Sequence, residues 1–210
     1  VTSTLNFHAH SIIPRRLVRT VPERTIELAE DLWRQACALH PDWEHVTLRD
    51  PIPTGRFPIT SKHWNTCESG AQLADLVRAE ELYHRGGIYI DSDVEVWRSF
   101  EPLVYLPGFA AWEDEQHIPN AVMGFTAGHP ALLEVLKRAI ERHHQGTWAA
   151  GVGVTTEVFA DRDDMLVLPP GALYPVHYSM KQFMDCSEVI RAENPWAFCL
   201  HRWEHSWAPK

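Results

Sequence analysis

The sequence predicts an α/β fold: a mixed, mostly parallel sheet flanked by helices. Three observations predict it. Residues 14–48 alternate as a short apolar run, a stretch of helical apolar spacing and a second short apolar run, the order that builds a parallel sheet. Residues 69–91 repeat that logic as helix, Gly-Gly stop and strand. No internal repeat or low-complexity linker divides the 210 residues, a length that suits one domain with a sizeable interior.

Taken in order, residues 1–12 read as an N-terminal arm, and Pro14 opens a strand over 14–20. Over 23–40, Ile26, Ala29, Leu32, Trp33, Ala36 and Leu39 fall on or near one helical face, and Pro41 closes that helix. Val46-Thr47-Leu48 reads as a strand before a Pro-rich loop at 51–58. Ser69 with Gln72 supplies a capping-box start, and Leu73, Leu76, Val77 and Leu82 continue at helical spacing. Gly86-Gly87 suits the left-handed turn that ends a helix. Beyond it Ile88 and Ile90 alternate with Tyr89, Asp91 and Asp93, so a side-chain period of two places the last three on one face. Val94-Glu95-Val96-Trp97 leads into a turn-rich stretch through Pro102, Pro107 and Gly108, and Ala110–Trp112 and Val122–Phe125 read as two further strands. Pro130 starts a helix to about His144, with Leu132, Leu133, Leu136, Ala139 and Ile140 facing inward. A Gly-rich loop and a short helix around Glu157 precede the strand Leu166-Val167-Leu168, which Pro169-Pro170 stops. In the last 35 residues only Phe198-Cys199-Leu200 reads clearly as a strand, and 195–210 reads as a tail.

Composition bounds the partners. A formal charge of −9 argues against general nucleic-acid binding, which needs a positive footprint. A small basic patch remains at Arg15, Arg16 and Arg19. The four cysteines show no Cys-x-x-Cys spacing, so free thiols in a reduced, cytoplasmic setting are expected. No apolar run approaches the roughly 20 residues of a membrane span, and no secretory leader pattern opens the chain.

The chemistry concentrates in residues 73–93. Asp91 and Asp93 end a buried-looking strand, whose carboxyl end is where ligands bind in an open α/β sheet. Asp75 and Arg78 share a face of the preceding helix. The unit thus offers a carboxylate pair, a further Asp and an Arg, the equipment for a divalent metal and a phosphorylated ligand. Each part has a blander reading: Asp-x-Asp commonly serves solvated turns, and an Asp/Arg pair at i,i+3 is ordinary on exposed helices.

These residues also carry a resemblance. Asp75-Leu-Val-Arg78, Leu82-Tyr83 and Gly86-Gly87-Ile88-Tyr89-Ile90-Asp91-Ser92-Asp93-Val94 resemble the DXD sugar-transferase family. That family includes initiating mannosyltransferases, capsular-polysaccharide transferases and the catalytic domains of large glucosylating toxins. His201-Arg-Trp203-Glu-His-Ser206-Trp207 is similar to its closing His-x-Trp-x-x-Ser-Trp segment, and Ile13–Val18 and Ile118–Ala121 resemble its first strand and its middle. One departure stands out: Val18-Arg19-Thr20-Val21-Pro22 replaces an aromatic-bearing segment of the Ile-His-Gln-x-Trp kind. The resemblance implies a GT-A-type single domain over 1–210, with 195–210 closing over the donor. It implies a hexosyltransferase that uses a nucleotide sugar, UDP-hexose first and GDP-mannose second, with retention of configuration. The acceptor is open among a glycan, a lipid-linked sugar, a protein and a modified base.

The implied metal is Mn²⁺ or Mg²⁺, held by Asp91, Asp93 and His201, with His205 as the alternative third ligand. Asp91, Asp93 and Arg78 are the implied catalytic residues; Asp75, Arg78, Tyr89, Asp91, Val18, Arg19, Asn120, Ser206 and Trp207 the implied donor-binding set. Glu113, Asp114 and Glu115 line the acceptor side or form a solvated loop.

Two other classes compete. A non-catalytic nucleotide-sugar-binding module would retain the same motifs without turnover. A phosphatase-type hydrolase also places Asp-x-Asp after a strand, and Asp163-Asp164 is its candidate second acidic pair. The Gly-x-Gly-x-x-Gly fingerprint of a dinucleotide-binding fold is absent after the first strand.

Overall fold

The computed structural model describes residues 13–204. In chain order it forms β1 (Arg16–Val21), α1 (Glu27–Ala38), β2 (Glu44–Arg49), α2 (Gly70–Arg85), β3 (Gly87–Ile90), β4 (Val94–Val96), β5 (Gly108–Ala111), β6 (Val122–Phe125), α3 (Pro130–Arg142), α4 (Thr147–Ala150), α5 (Val152–Phe159), β7 (Leu166–Leu168), α6 (Pro170–Leu173), α7 (Ser187–Glu193) and β8 (Cys199–His201). Short 3-10 segments lie at Thr54–Arg56, Ser61–Thr66 and Tyr178–Cys186 among others.

Six strands make the main sheet in the order β2-β1-β3-β6-β5-β7. All run one way except β6, which pairs antiparallel with β3 and β5. The result is the mixed, mostly parallel sheet that the sequence predicts. A second sheet of two antiparallel strands, β4 and β8, pairs Val94 with His201.

The alternation of β1 and β3 divides the core. Val18 and Tyr89 face one layer with Val77, Leu82 and Leu132 of α2 and α3. Leu17, Ile88 and Ile90 face the other, with Ala36 of α1 and Val94 of β4. Helix ends differ from expectation. Ile26 and Leu39 flank α1 and are 44% and 38% exposed, because the helix is only the 12 residues between them. Val135, absent from the expected face of α3, is buried there, while Leu133 and Ile140 are partly exposed.

α2 is where sequence and structure agree most closely. Ser69 Oγ accepts from the Gln72 amide at 3.1 Å, and Gln72 Oε1 accepts from the Glu68 amide at 2.7 Å, one residue earlier than the usual reciprocal bond. Gly86 and Gly87 both take positive φ, +65° and +114°, and a Cβ on either would sit under 3.0 Å from backbone or side-chain atoms of neighbouring segments. Two acids of the helix are completely buried. Glu80 accepts from the Ile59 and Thr60 amides and the Thr60 hydroxyl, which fixes the loop after β2. Glu81 binds Arg16, Arg56 and Arg85. Burial raises the pKa of Glu81, but the arginine hydrogen bonds outweigh it and hold the group below its usual range.

Candidate metal and donor site

The site gathers at the carboxyl edge of the sheet. β3 ends at Ile90, and the Asp91 amide donates to the Ala121 carbonyl at 2.8 Å, which ties it to the start of β6. A turn follows, closed by Val94 N–H to Asp91 O at 3.1 Å. Asp91 and Asp93 therefore converge through this turn rather than by alternation along a longer strand. Because β6 runs backward, its leading residue Asn120 arrives at this same edge.

Arg78 lies at the centre. Its Nη2 reaches Asp91 Oδ1 at 3.0 Å and Asp75 Oδ1 at 3.2 Å. Its Nη1 donates to the Asn120 carbonyl at 2.9 Å and to Asn120 Oδ1 at 3.1 Å. The guanidinium stacks 4.5 Å over the Tyr89 ring. Asn120 Nδ2 donates to Asp75 Oδ1 at 2.9 Å and closes the ring of contacts. Tyr89 donates its hydroxyl to Asp91 Oδ1 at 2.8 Å, which leaves Thr20 Oγ1, 2.6 Å away, as donor to Tyr89. Arg78 thus acts first as a brace for Asp75, Asp91 and Asn120.

Asp93 and His201 meet on the other side of the turn. The β4–β8 pairing sets His201 Nε2 3.2 Å from Asp93 Oδ1, and the Glu204 amide donates to Asp93 Oδ2 at 2.9 Å. Trp203 makes that second bond possible. It takes φ 61°, rare for a bulky residue, and its ring lies tilted against the imidazole of His201, 3.9 Å between ring centres.

Charge is distributed unevenly. Burial raises Asp75 to about 6, only partly opposed by Arg78. Burial also raises Asp91 against the pull of Arg78. Asp93 is buried too, yet His201 and the Glu204 amide bring it down to about 2. His201 is raised in turn, because the Asp93 charge outweighs its burial.

Donor atoms of Asp91, Asp93 and His201 all lie within 4.8 Å of one another. His201 Nδ1 is buried and has no hydrogen-bond partner among the described residues. Two carboxylates and one imidazole with an unpaired ring nitrogen, in a largely buried cluster, fit a divalent cation of the Mn²⁺ or Mg²⁺ type.

The other expected site residues distribute as follows. Val18 is fully buried against Tyr89 and belongs to the core. Arg19 is turned away from the cluster: it bonds Glu30, Thr47 and the Ala29 carbonyl and stacks on Trp33. The basic patch is likewise taken up, since Arg15 pairs with Glu101, and Arg16 with Glu44 and Glu81. Desolvated arginines on one strand need carboxylate partners, and α1 and α2 supply them. His205, Ser206 and Trp207 lie outside the described residues. Asp164 precedes β7, at the opposite edge of the sheet, and is bound by Arg162, so no second acidic pair joins Asp91 and Asp93. Thr20, Trp203 and the Glu204 amide are contributors that sequence reasoning missed. Only Trp203 had a signal, its place between His201 and Ser206.

The fold is of the GT-A type, and the Asp91/Asp93/His201 cluster at its sheet edge is a candidate metal site. The fold is shared, at 15% identity and a TM-score of 0.60, with the PaToxG glycosyltransferase, over 92% of this chain and 83% of that one. It is shared also with the glycosyltransferase GlyE of Streptococcus pneumoniae, at 12% identity and a TM-score of 0.57, over 91% and 55%. Residues 27–110 match the glycosyltransferase sugar-binding region containing the DXD motif, and the chain is similar over that stretch to the DXD sugar transferases. Inositol phosphoceramide mannosyltransferase 3 of Schizosaccharomyces pombe is 38% identical over 104 residues, 47% of this chain and 29% of that protein. Mannosyl phosphorylinositol ceramide synthase CSH1 of Saccharomyces cerevisiae is 30% identical over 142 residues, 65% of this chain and 37% of that protein. The chain thus spans about a third of the length of these curated relatives.

Proposed function

We propose that the protein is a metal-dependent glycosyltransferase that moves a hexosyl group from a nucleotide sugar to an acceptor hydroxyl, with retention of anomeric configuration. The observation that carries the proposal is the buried Asp91/Asp93/His201 cluster at the carboxyl edge of the sheet. Relatives named as mannosyltransferases put GDP-mannose beside the UDP-hexoses as the donors to test.

When bound, a divalent cation supplies positive charge to the diphosphate leaving group as the glycosidic bond breaks. Asp91, Asp93 and His201 would hold it. Arg78 fixes the Asp91 carboxylate through two nitrogens, so little reorganisation is left for the moment of reaction. Asp75 Oδ1 is engaged by Asn120 and Arg78, and the carboxylate orients sugar hydroxyls by accepting their hydrogen bonds. The Glu204 amide and Trp203 hold the tail against Asp93, where it shields the site from water and limits hydrolysis of the donor. A front-face displacement, in which the departing phosphate helps deprotonate the acceptor hydroxyl, is the mechanism proposed.

The test is nucleotide release from UDP-glucose, UDP-galactose, UDP-N-acetylglucosamine and GDP-mannose with Mn²⁺, comparing wild type with Asp93→Ala. Release from one donor, lost in the variant and in EDTA, is the expected result. Donor binding by thermal shift with no release and no transfer would make the protein a binding module instead. Proton NMR of the product must show the anomeric configuration of the donor; inversion would remove the proposed mechanism.

A further inference from the structure

Beyond β7 the chain builds a groove that donor chemistry leaves unused. It encloses about 410 Å³ between α6, the 3-10 segment at Tyr178–Cys186 and α7, with Glu113 of the β5–β6 loop at its inner end. Pro170, Val176, Met180, Phe183 and Ile190 form its walls. Met180 and Phe183 are 49% and 48% exposed, so hydrocarbon faces solvent here.

The inner end is different. Tyr174 lines the groove, and its ring lies 6.2 Å from the rings of both His201 and Trp203. Groove and metal cluster therefore share a wall. The Glu113 side chain is 10% exposed; it accepts from the Tyr178 amide at 3.1 Å and lies 3.5 Å from His177. Asp114 approaches the same imidazole at 3.3 Å. Polarity thus grades from the Glu113 carboxylate, backed by His177 and Asp114, to an apolar mouth at Met180 and Phe183.

We propose that this groove is the acceptor site and that its occupant is an uncharged amphiphile: a polyol head against Glu113 and an alkyl chain along Met180 and Phe183. The proposal rests on the sugar-transfer reading above. A hydroxyl donates readily to a carboxylate, whereas a phosphorylated head would meet Glu113 and Asp114 as like charges. A purely polar glycan would leave the apolar walls unmatched. Met180 suits an alkyl chain because its unbranched thioether adapts to irregular contacts. Each methylene buried on transfer from water gains roughly fourfold in affinity.

The test is calorimetric titration of the full chain, with Mn²⁺ present, using n-alkyl β-D-glucosides of one, four and eight carbons below their micelle concentrations. The association constant is expected to rise at least about tenfold from methyl to octyl. Met180→Ser with Phe183→Ser should abolish most of that rise. Val189→Ser, which removes a side chain 63% exposed outside the groove, should keep it. Octyl phosphate should bind more weakly than octyl glucoside. Equal chain-length dependence in wild type and double variant, an equal loss in Val189→Ser, or tighter binding of octyl phosphate would overturn the proposal. Nucleotide release in the donor panel reports separately on sugar transfer: chain-length dependence without release would remove that reading and retain the amphiphile site, and release without chain-length dependence would do the reverse.

Discussion

Asp75→Asn should make the protein more stable and less active. Asp75 is buried, and its pKa is raised from 3.8 to about 6 because burial outweighs the pull of Arg78. The folded state therefore binds this proton more tightly than the unfolded chain does, and stability falls as pH rises through the window from about 4 to 6. Above that window the ionised group costs about 3 kcal/mol, taking 1.36 kcal/mol per pKa unit. An asparagine keeps an Oδ1 that accepts from Asn120 Nδ2 and Arg78 Nη2, so the hydrogen bonds survive while the charge goes. Asp91 is coupled to the same site, which makes 3 kcal/mol an upper bound. At pH 8 the variant should gain up to about 6–12 °C in Tm, given about 2–4 °C per kcal/mol for a chain of this size. The gap should close toward pH 4. Urea unfolding of both proteins at half-unit steps from pH 4 to 8, without metal, gives the two curves. A variant no more stable than wild type at pH 8, or a gap that does not narrow on acidification, would refute the reasoning. Donor turnover should fall in the same variant, because a neutral amide binds sugar hydroxyls less strongly than a carboxylate.

Three further outcomes follow from the packing. Glu81→Gln leaves Arg16, Arg56 and Arg85 without their shared carboxylate and should cost about 3–5 kcal/mol in urea unfolding. Gly151→Ala would place a Cβ 2.4 Å from Asp75 Oδ2 and 3.0 Å from the Thr147 carbonyl; it should destabilise by about 1–3 kcal/mol and lower donor turnover as Asp75 shifts. Arg78→Lys cannot bridge Asp75, Asp91 and Asn120 at once, and kcat for nucleotide release should fall on the order of a hundredfold while Mn²⁺ binding by EPR persists.

How much of this was legible depends on how local each contact is. Residues 69–90 read correctly because cap, helix face, glycine stop and strand follow one another along the chain, and Asp75 and Arg78 lie three residues apart; 91–93 form a turn where the period of two implied continued strand. The pairing of His201 with Asp93 spans more than a hundred residues through β4 and β8, and no periodicity in the last segment announces it. Only the resemblance to a closing motif pointed there. Arg16 and Arg19 looked like a free basic patch because ion-pair partners cannot be assigned from spacing; folding places Glu81 and Glu30 against them. The reversed direction of β6 was equally invisible, since an apolar run of four residues carries no sign of its polarity. Yet that reversal is what delivers Asn120 to Arg78.

The same helix shows how a structural carboxylate differs from a functional one. Glu81 and Asp75 both sit on α2 and both face arginines. Glu81 is surrounded by three guanidinium groups and held below its ordinary pKa, so its burial is compensated and it fastens β1 and the loop after β2 to the helix. Asp75 shares a single guanidinium with Asp91 and stays above its ordinary pKa, so its burial is not compensated. A fold selected for stability alone would not keep the second arrangement, because an apolar or amide side chain there would remove the cost. The deficit of positive charge is shared by Asp75 and Asp91, and Asp91 belongs to the cluster where the cation of the proposed reaction would sit. Uncompensated burial thus marks the end of α2 proposed to face the donor, and compensated burial its structural end.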